Sequence, residues 1–340
     1  MAITLSFQFY DLLLRHPFTI SRYTVTVQKT VVVCVSDGIL SGYGEATVNP
    51  YYHSTVGRLT ESLSRIQSAI NFNAAWHPSE IWEQTAPLVK DDYFALCAVD
   101  MACWDFYSRI SKKTLRSYWC DENAFTPLTS YTIGIDTIEV MKNKIIEMPW
   151  PIYKIKLGTS DDIKIVEALR NITDAVFRID ANGAWTAEQA LNNAQIFQDM
   201  NVEFIEQPLK AADIEGMKKV KAESVLPIIA DESCQREEDV ELCCEIFHGI
   251  NIKLMKCGGI TPALRMIKKA REKNVLIMAG CMTESTVGIS GLVQMAPLLD
   301  YLDADGALLL SHDIAEGATF NFGKIIYPNT FGNGVQIHAK

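Results

Sequence analysis

The chain has 340 residues, 48% hydrophobic and 21% charged, a balance that supports a sizeable buried core and excludes a disordered or fibrous protein. With 31 Lys+Arg against 41 Asp+Glu the formal charge is −10, which opposes long contacts with phosphate backbones or anionic lipid, since both need clustered cations. Neither a nucleic-acid partner nor a membrane partner is expected.

Residues 1–10 alternate apolar and polar side chains like a strand, without the basic and then apolar regions of a secretory leader. The β-branched segments 24–27 and 30–35, bounded by turn formers at Asp37-Gly38 and Ser41-Gly42, extend this into an antiparallel meander. From about Leu59 to Arg116 the period changes to helical, with Leu59, Leu63, Ile66 and Ile70 on one stripe and Phe94, Cys97, Ala98, Met101, Ala102 and Asp105 on another. Strands followed by helices mark an α+β unit, placed at residues 1–125. After Pro127, short apolar strands alternate with longer amphipathic stretches, predicting eight strands that end near Ile133, Lys156, Asp180, Glu206, Asp231, Lys253, Ala279 and Asp303. The intervals from Lys156 through Lys253 are 24, 26, 25 and 22 residues, the length of one strand, one helix and two loops. Eight such units close into a barrel over residues 126–310, whose active site lies at the C-terminal strand ends. Residues 311–340, without a strong helix, are expected to return to the N-terminal unit. The nine cysteines include no C-x-x-C pair, which argues against a disulfide framework or zinc ribbon, and apolar runs such as 275–279 are too short to cross a bilayer. A soluble, cytoplasmic protein is predicted.

Asp180, Glu206 and Asp231 end three successive strands, and neighbouring strands lie about 4.7–4.9 Å apart. Three carboxylates so close would repel one another, so a hard dication is the simplest way to keep all of them ionised, and oxygen-only ligands favour magnesium. Lys154 and Lys156, two apart on a strand, point to one face of the barrel wall, and Lys253 ends a strand on the far side of the acidic group. Lys256 is assigned to the loop before Gly258-Gly259, leaving Lys253 as the inward lysine. A lysine pressed against a dication and another lysine is expected to lose its proton more readily and to act as a base. Two lysines facing each other across a metal-bound carboxylate predict proton removal at the α-carbon, an enediolate, and proton return from the opposite face.

Lys154-x-Lys156, Asp180-x-Asn182, Glu206-Gln207-Pro208, Asp231-Glu232-Ser233 and Asn251-Ile252-Lys253 with Gly258-Gly259, together with Gly42-Tyr43-Gly44-Glu45-Ala46, resemble the enolase superfamily in its muconate-lactonizing subgroup. The resemblance spans nearly the whole chain. It implies a modified TIM-type (β/α)7β barrel with an N-terminal α+β capping domain, one Mg2+ per subunit held by Asp180, Glu206 and Asp231, and Lys156 and Lys253 as the acid–base pair, with Lys154 beside the substrate. The subgroup contains muconate cycloisomerases, o-succinylbenzoate synthases, N-acylamino acid racemases and dipeptide epimerases.

Asp303-Ala304-Asp305 places two carboxylates on one face of the eighth strand, suited to the α-ammonium of a dipeptide, and the element resembles dipeptide epimerases. Thr132 stands where the family has a substrate-contacting threonine. Arg22 resembles the arginine of the flexible capping loop in L-Ala-D/L-Glu epimerases, where it would pair with a glutamate side chain; such a preference would imply murein-peptide metabolism. The expected function is therefore Mg-dependent epimerisation of a small dipeptide, with the N-acyl, succinylbenzoate and muconate activities, or a barrel that binds peptide without turnover, as alternatives. Homo-oligomerisation is left open.

Overall fold

The first unit of the computed structural model, which describes residues 3–20, 23–73 and 75–338, is a sheet of three antiparallel strands, β1 (Thr4–Thr19), β2 (Thr24–Ser36) and β3 (Ser41–Thr47). Both long strands exceed the sequence expectation. The segments 24–27 and 30–35 are one strand, and β1 runs on through His16 and Pro17, with a register shift between Leu13 and Phe18. Proline is tolerated there because β1 is an edge strand and the shift removes the need for its missing N–H.

Three helices cover this sheet: α1 (Val56–Ala69), α2 (Pro78–Thr85) and α3 (Tyr93–Ile110). The stripe Leu59, Leu63 and Ile66 of α1 is fully buried, worth about 1.5–3 kcal/mol per side chain. Helix α3 is buried on almost every side, and β3 lies so close to it that a Cβ at Gly42 would sit 2.2 Å from the Phe106 nitrogen and one at Gly44 2.1 Å from the Ala98 oxygen. Only glycine permits that approach.

Eight parallel strands follow: β4 (Tyr131–Ile133), β5 (Ile152–Lys156), β6 (Val176–Asp180), β7 (Val202–Glu206), β8 (Ile228–Ala230), β9 (Gly249–Lys253), β10 (Leu276–Gly280) and β11 (Tyr301–Asp303). They pair in chain order, and a parallel bridge between Thr129 and Leu302 brings the last beside the first. The connections carry α4 (Ile138–Glu147), α5 (Asp162–Arg170), α6 (Ala187–Phe197), α7 (Ile214–Glu223), α8 (Val240–Ile246), the single turn α9 (Leu254–Cys257) with α10 (Ile260–Glu272), and α11 (Thr286–Leu292). Only a short 3-10 turn, Gly306–Leu309, follows β11 before the tail, so the architecture is the expected (β/α)7β barrel with an α+β cap. Cys243 and Cys244 belong to the inner side of α8, both buried.

Buried acids on α3 join the layers. Asp100 accepts from the Thr261 backbone N–H (2.9 Å) and hydroxyl (2.6 Å) at the start of α10, and Asp105 accepts from Tyr43 N (2.9 Å) and Asn333 N (2.8 Å). The tail also bonds backbone to backbone with the cap, Leu115 N to Gly332 O at 2.9 Å and Gly332 N to Lys113 O at 2.8 Å. Among the described residues no helix is long and apolar enough to cross a membrane.

Candidate active site

The parallel register carries the acidic group. Lys156 is opposite Asp180 and Asp180 is opposite Glu206, while Asp231 directly follows β8. One carboxylate oxygen from each of Asp180, Glu206 and Asp231 lies within 4.8 Å of the others, and all three residues are buried. Burial would raise the Asp180 carboxyl, but the Lys156 and Lys154 ammoniums outweigh it and bring it to about 2. Glu206 goes the other way, up to about 7, through burial and the neighbouring Asp180 charge. Glu206 Oε2 is buried and receives no well-oriented hydrogen bond, although Lys154 Nζ is 2.8 Å away. Three hard oxygen donors at this spacing fit a magnesium-sized dication, whose octahedral shell leaves further positions for water or substrate oxygens.

The lysines flank this group. Lys156 Nζ on β5 donates to Asp180 Oδ2 at 2.6 Å, and Lys253 Nζ on β9 donates to Asp231 Oδ2 at 2.8 Å. The strands carrying the three acids lie between β5 and β9, so the two ammoniums approach from opposite sides. Lys154 is buried and central, 2.8 Å from Asp303 Oδ2, 2.8 Å from Glu206 Oε2 and 3.2 Å from Asp180 Oδ2. The expected loss of lysine basicity presumes a bound dication, and the carboxylates by themselves act against it. Burial does push the Lys253 and Lys154 pKa values down, but Asp231 for Lys253, and Asp303, Glu206 and Asp180 for Lys154, push them further up.

Lys256 is also corrected. It lies in α9 rather than a loop, is buried, and its Nζ donates to Asp231 Oδ1 and Asp231 O (both 2.6 Å) and to Cys234 O (2.9 Å). Alternation at period two stops at Lys253, where the chain turns helical, so strand counting misplaced it. Gln207 is a second residue the sequence reading left without a role. Its Oε1 accepts from Asp231 N and Ser233 N, both at 3.0 Å, stitching the loop after β7 to the one that holds Asp231. Its place inside Glu206-Gln207-Pro208 was the available signal.

A cavity over the strand ends is lined by Thr132, Lys154, Lys156, Lys253, Asp303 and Asp305. β11 ends at Asp303 and Asp305 lies two residues beyond it, which corrects the placing of both acids on the eighth strand. Asp303 accepts on both oxygens, from Ser130 Oγ (2.9 Å) and Lys154 Nζ (2.8 Å). Asp305 accepts from the Thr132 backbone N–H at 2.6 Å, and burial together with the Asp303 charge lifts it to about 7. Arg22 lies outside the described residues.

Residues 137–340 match the family described as Enolase C-terminal domain-like, and residues 4–117 match the Mandelate racemase / muconate lactonizing enzyme N-terminal domain. An L-Ala-D/L-amino acid epimerase of Flavobacterium johnsoniae is 50% identical over 96% of this chain and 98% of its own length. An L-Ala-D/L-Glu epimerase of Bacteroides thetaiotaomicron is 35% identical over 96% and 86%. Among solved structures, a substrate-liganded L-Ala-D/L-Glu epimerase from Bacillus subtilis superposes with TM-score 0.93 at 26% identity, covering 100% of both chains. A dipeptide epimerase from Enterococcus faecalis, complexed with Mg and L-Leu-L-Tyr, superposes with TM-score 0.92 at 28% identity, covering 99% of this chain and 100% of its own.

Proposed function

The chain belongs to the enolase superfamily, and on that premise we propose that it is a magnesium-dependent dipeptide epimerase that inverts the α-carbon of the C-terminal residue by two-lysine proton transfer. The observation that carries this reading is the placement of Lys156 and Lys253 on opposite sides of the acidic triad, with Asp305 opening into the same cavity. The names of the relatives and the Mg and dipeptide in the neighbouring complexes support it.

Asp180, Glu206 and Asp231 would hold Mg2+, which when bound offsets negative charge on the substrate's carboxylate oxygens. One lysine, as the free amine, takes the α-proton from its own face; the C–H electron pair passes into the carboxylate to give an enediolate. The second lysine, as the ammonium, returns a proton to the opposite face, and the roles reverse for the other epimer. Lys154 would balance the negative charge between the triad and Asp303, while Thr132 positions Asp305 through its backbone N–H. An arriving α-ammonium would favour the ionised form of Asp305 and form a charge-assisted hydrogen bond with it.

Incubation with Mg2+ and a panel of L-Ala-L-Xaa dipeptides in D2O, read by mass spectrometry, tests the proposal. Deuterium should enter the α-carbon of the second residue, stop on chelation and resume when Mg2+ is restored. Exchange into N-acylamino acids but into no dipeptide would return the function to the N-acylamino acid racemases.

A further inference from the structure

We infer that Asp162 is a positioning residue for Lys156: its carboxylate fixes the turn by which the chain leaves β5, and through that turn sets where the Lys156 amine stands. The inference rests on the two-lysine reading of the site. It concerns the rim of the barrel behind the reacting groups, where the loops after β5, β6 and β7 meet.

Lys156 is the last residue of β5 and lies one place beyond the register shared with β4, which stops at Ile155. Its backbone is held instead by β6, through the pairing with Asp180 and through Leu157 N donating to Asp180 O at 2.9 Å, and by the loop that follows. That loop turns at Gly158, whose φ of 118° suits glycine. Asp162, buried at the start of α5, receives the N–H groups that come next. Its Oδ1 accepts from Gly158 N (3.1 Å), Thr159 N (2.8 Å) and Thr159 Oγ1 (2.8 Å), and its Oδ2 from Gly158 N (3.0 Å) and Trp185 Nε1 (2.7 Å). None of these donors is a cation; the carboxylate is stabilised by N–H and O–H groups and by its place in the first turn of a helix.

Trp185 carries the restraint across the rim. It stands in the loop between β6 and α6, its N donates to Pro208 O at 2.9 Å in the loop after β7, and its buried ring packs on Phe197 of α6 with centroids 6.4 Å apart. The loop leaving Lys156 is thus braced against the loops leaving Asp180 and Glu206. On the other face the brace is built differently: β9 passes directly into α9, whose Lys256 is bound to Asp231. Asp162 therefore serves one lysine and not the other.

Among the described residues Asp162 does not line the cavity, so its influence on the reaction passes through the loop. A lysine amine sits on a flexible four-carbon stem, and a shift of its strand end is passed on to it. A misplacement of about 1 Å can cost about a hundredfold in rate. Only a carboxylate accepts on both oxygens at once; an amide in its place turns an NH2 toward Trp185 Nε1 or toward Gly158 N and loses one side of the brace.

The test is α-deuterium exchange of resolved L,L and L,D dipeptides in Asp162→Asn, with Mg2+ bound. For the epimer whose exchange is lost in Lys156→Ala, kcat should fall by about tenfold or more with KM little changed. For the epimer served by Lys253, exchange should stay within about twofold of the wild type, and so should Mg2+ affinity by calorimetry. Trp185→Phe removes a single N–H and keeps an aromatic ring, so it should show the same one-sided loss to a smaller degree, which keeps the inference testable if Asp162→Asn misfolds. Equal losses for both epimers in these variants, a fall in Mg2+ affinity that accounts for the loss, or wild-type exchange of both epimers would overturn the inference and leave the epimerase reading intact. Wild-type protein that exchanges no dipeptide would overturn both.

Discussion

Lys256 Nζ sits 2.6 Å from Asp231 Oδ1 while Lys253 Nζ sits 2.8 Å from Asp231 Oδ2, so one carboxylate is held between two lysines that arrive from different secondary structure. Lys253 lines the cavity; Lys256 does not, and is closed in by the Asp231 and Cys234 carbonyls. We read Lys256 as a residue that fixes Asp231. Lys256→Met should destabilise the fold by about 3–5 kcal/mol, because it strands a buried carboxylate side and several carbonyls, and should weaken Mg2+ binding by about tenfold or more, because a support of a ligand is lost. Urea unfolding with chelator and calorimetric Mg2+ titration measure the two. Wild-type values in both would show that Asp231 holds its place without help.

The paired lysines make a stereochemical prediction. Lys156→Ala and Lys253→Ala should each lower epimerisation by about a hundredfold or more. Each should still exchange the α-proton of one epimer, a different one in each variant, because the remaining lysine faces only one side of the α-carbon. Exchange of resolved L,L and L,D dipeptides in D2O, followed by mass spectrometry, provides the check. If both variants exchange the same epimer, the two lysines do not occupy opposite faces of the substrate.

Asp305→Asn should raise KM for free dipeptides by about tenfold or more, the scale of one charge-assisted hydrogen bond, and should change KM little for N-acetylated dipeptides. The amide retains an oxygen for the Thr132 N–H, so the strand end keeps its bond. Equal losses for both substrate types would assign Asp305 to the integrity of the barrel mouth. Asp303→Asn is a less selective probe, since Asp303 accepts from Ser130 and Lys154 together.

Most of this site was legible because barrel strands repeat one rule. Inward and outward positions alternate, and the functional ends recur at intervals of 22 to 26 residues, so Lys156, Asp180, Glu206, Asp231 and Lys253 could be aligned without knowing the fold's closure. What was hidden depended on departures from that rule or on distance. Lys256 follows the strand by one helical turn, where alternation no longer applies. The commitment of Asp303 to Lys154 joins residues 149 apart in the chain and exists only because β11 closes beside β4. The resemblance put Arg22 in a flexible capping loop, whereas the edge position of β1 lets the strand ahead of it run through Pro17 to Thr19, with Phe18 lining the cavity.

The last prediction concerns a carboxyl group at the junction of cap and barrel. Glu284 follows β10 and is buried; its Oε1 accepts from Met282 N at 2.8 Å, shaping the loop whose Cys281, Met282 and Thr283 line the cavity. Glu45 on β3 comes up against it from the cap and accepts from Ser285 N (3.0 Å), Ser285 Oγ (2.6 Å) and Gly288 N (2.9 Å). Burial, and then the Glu45 charge, raise Glu284 to about 8, with Lys253 opposing. An ordinary glutamate in the unfolded chain titrates at 4.5, so between pH 4.5 and 8 the folded protein holds a proton at this site that the unfolded chain lacks. Stability rises with pH only where the unfolded state binds more protons; here it binds fewer, so the contribution of Glu284 is whole below about pH 4.5 and declines as pH rises through 8. Glu284→Gln keeps an acceptor for the Met282 N–H, stays neutral, and offers Glu45 an N–H. The Tm of the wild type should therefore fall more than that of the variant between pH 6 and 9, with a gap of about a few degrees at the upper end. Buried acids away from this pair, Asp100 and Asp305 at about 7 among them, titrate in the same window in both proteins and cancel in the comparison. Parallel melting curves across that range would show that Glu284 ionises as it does in the unfolded chain.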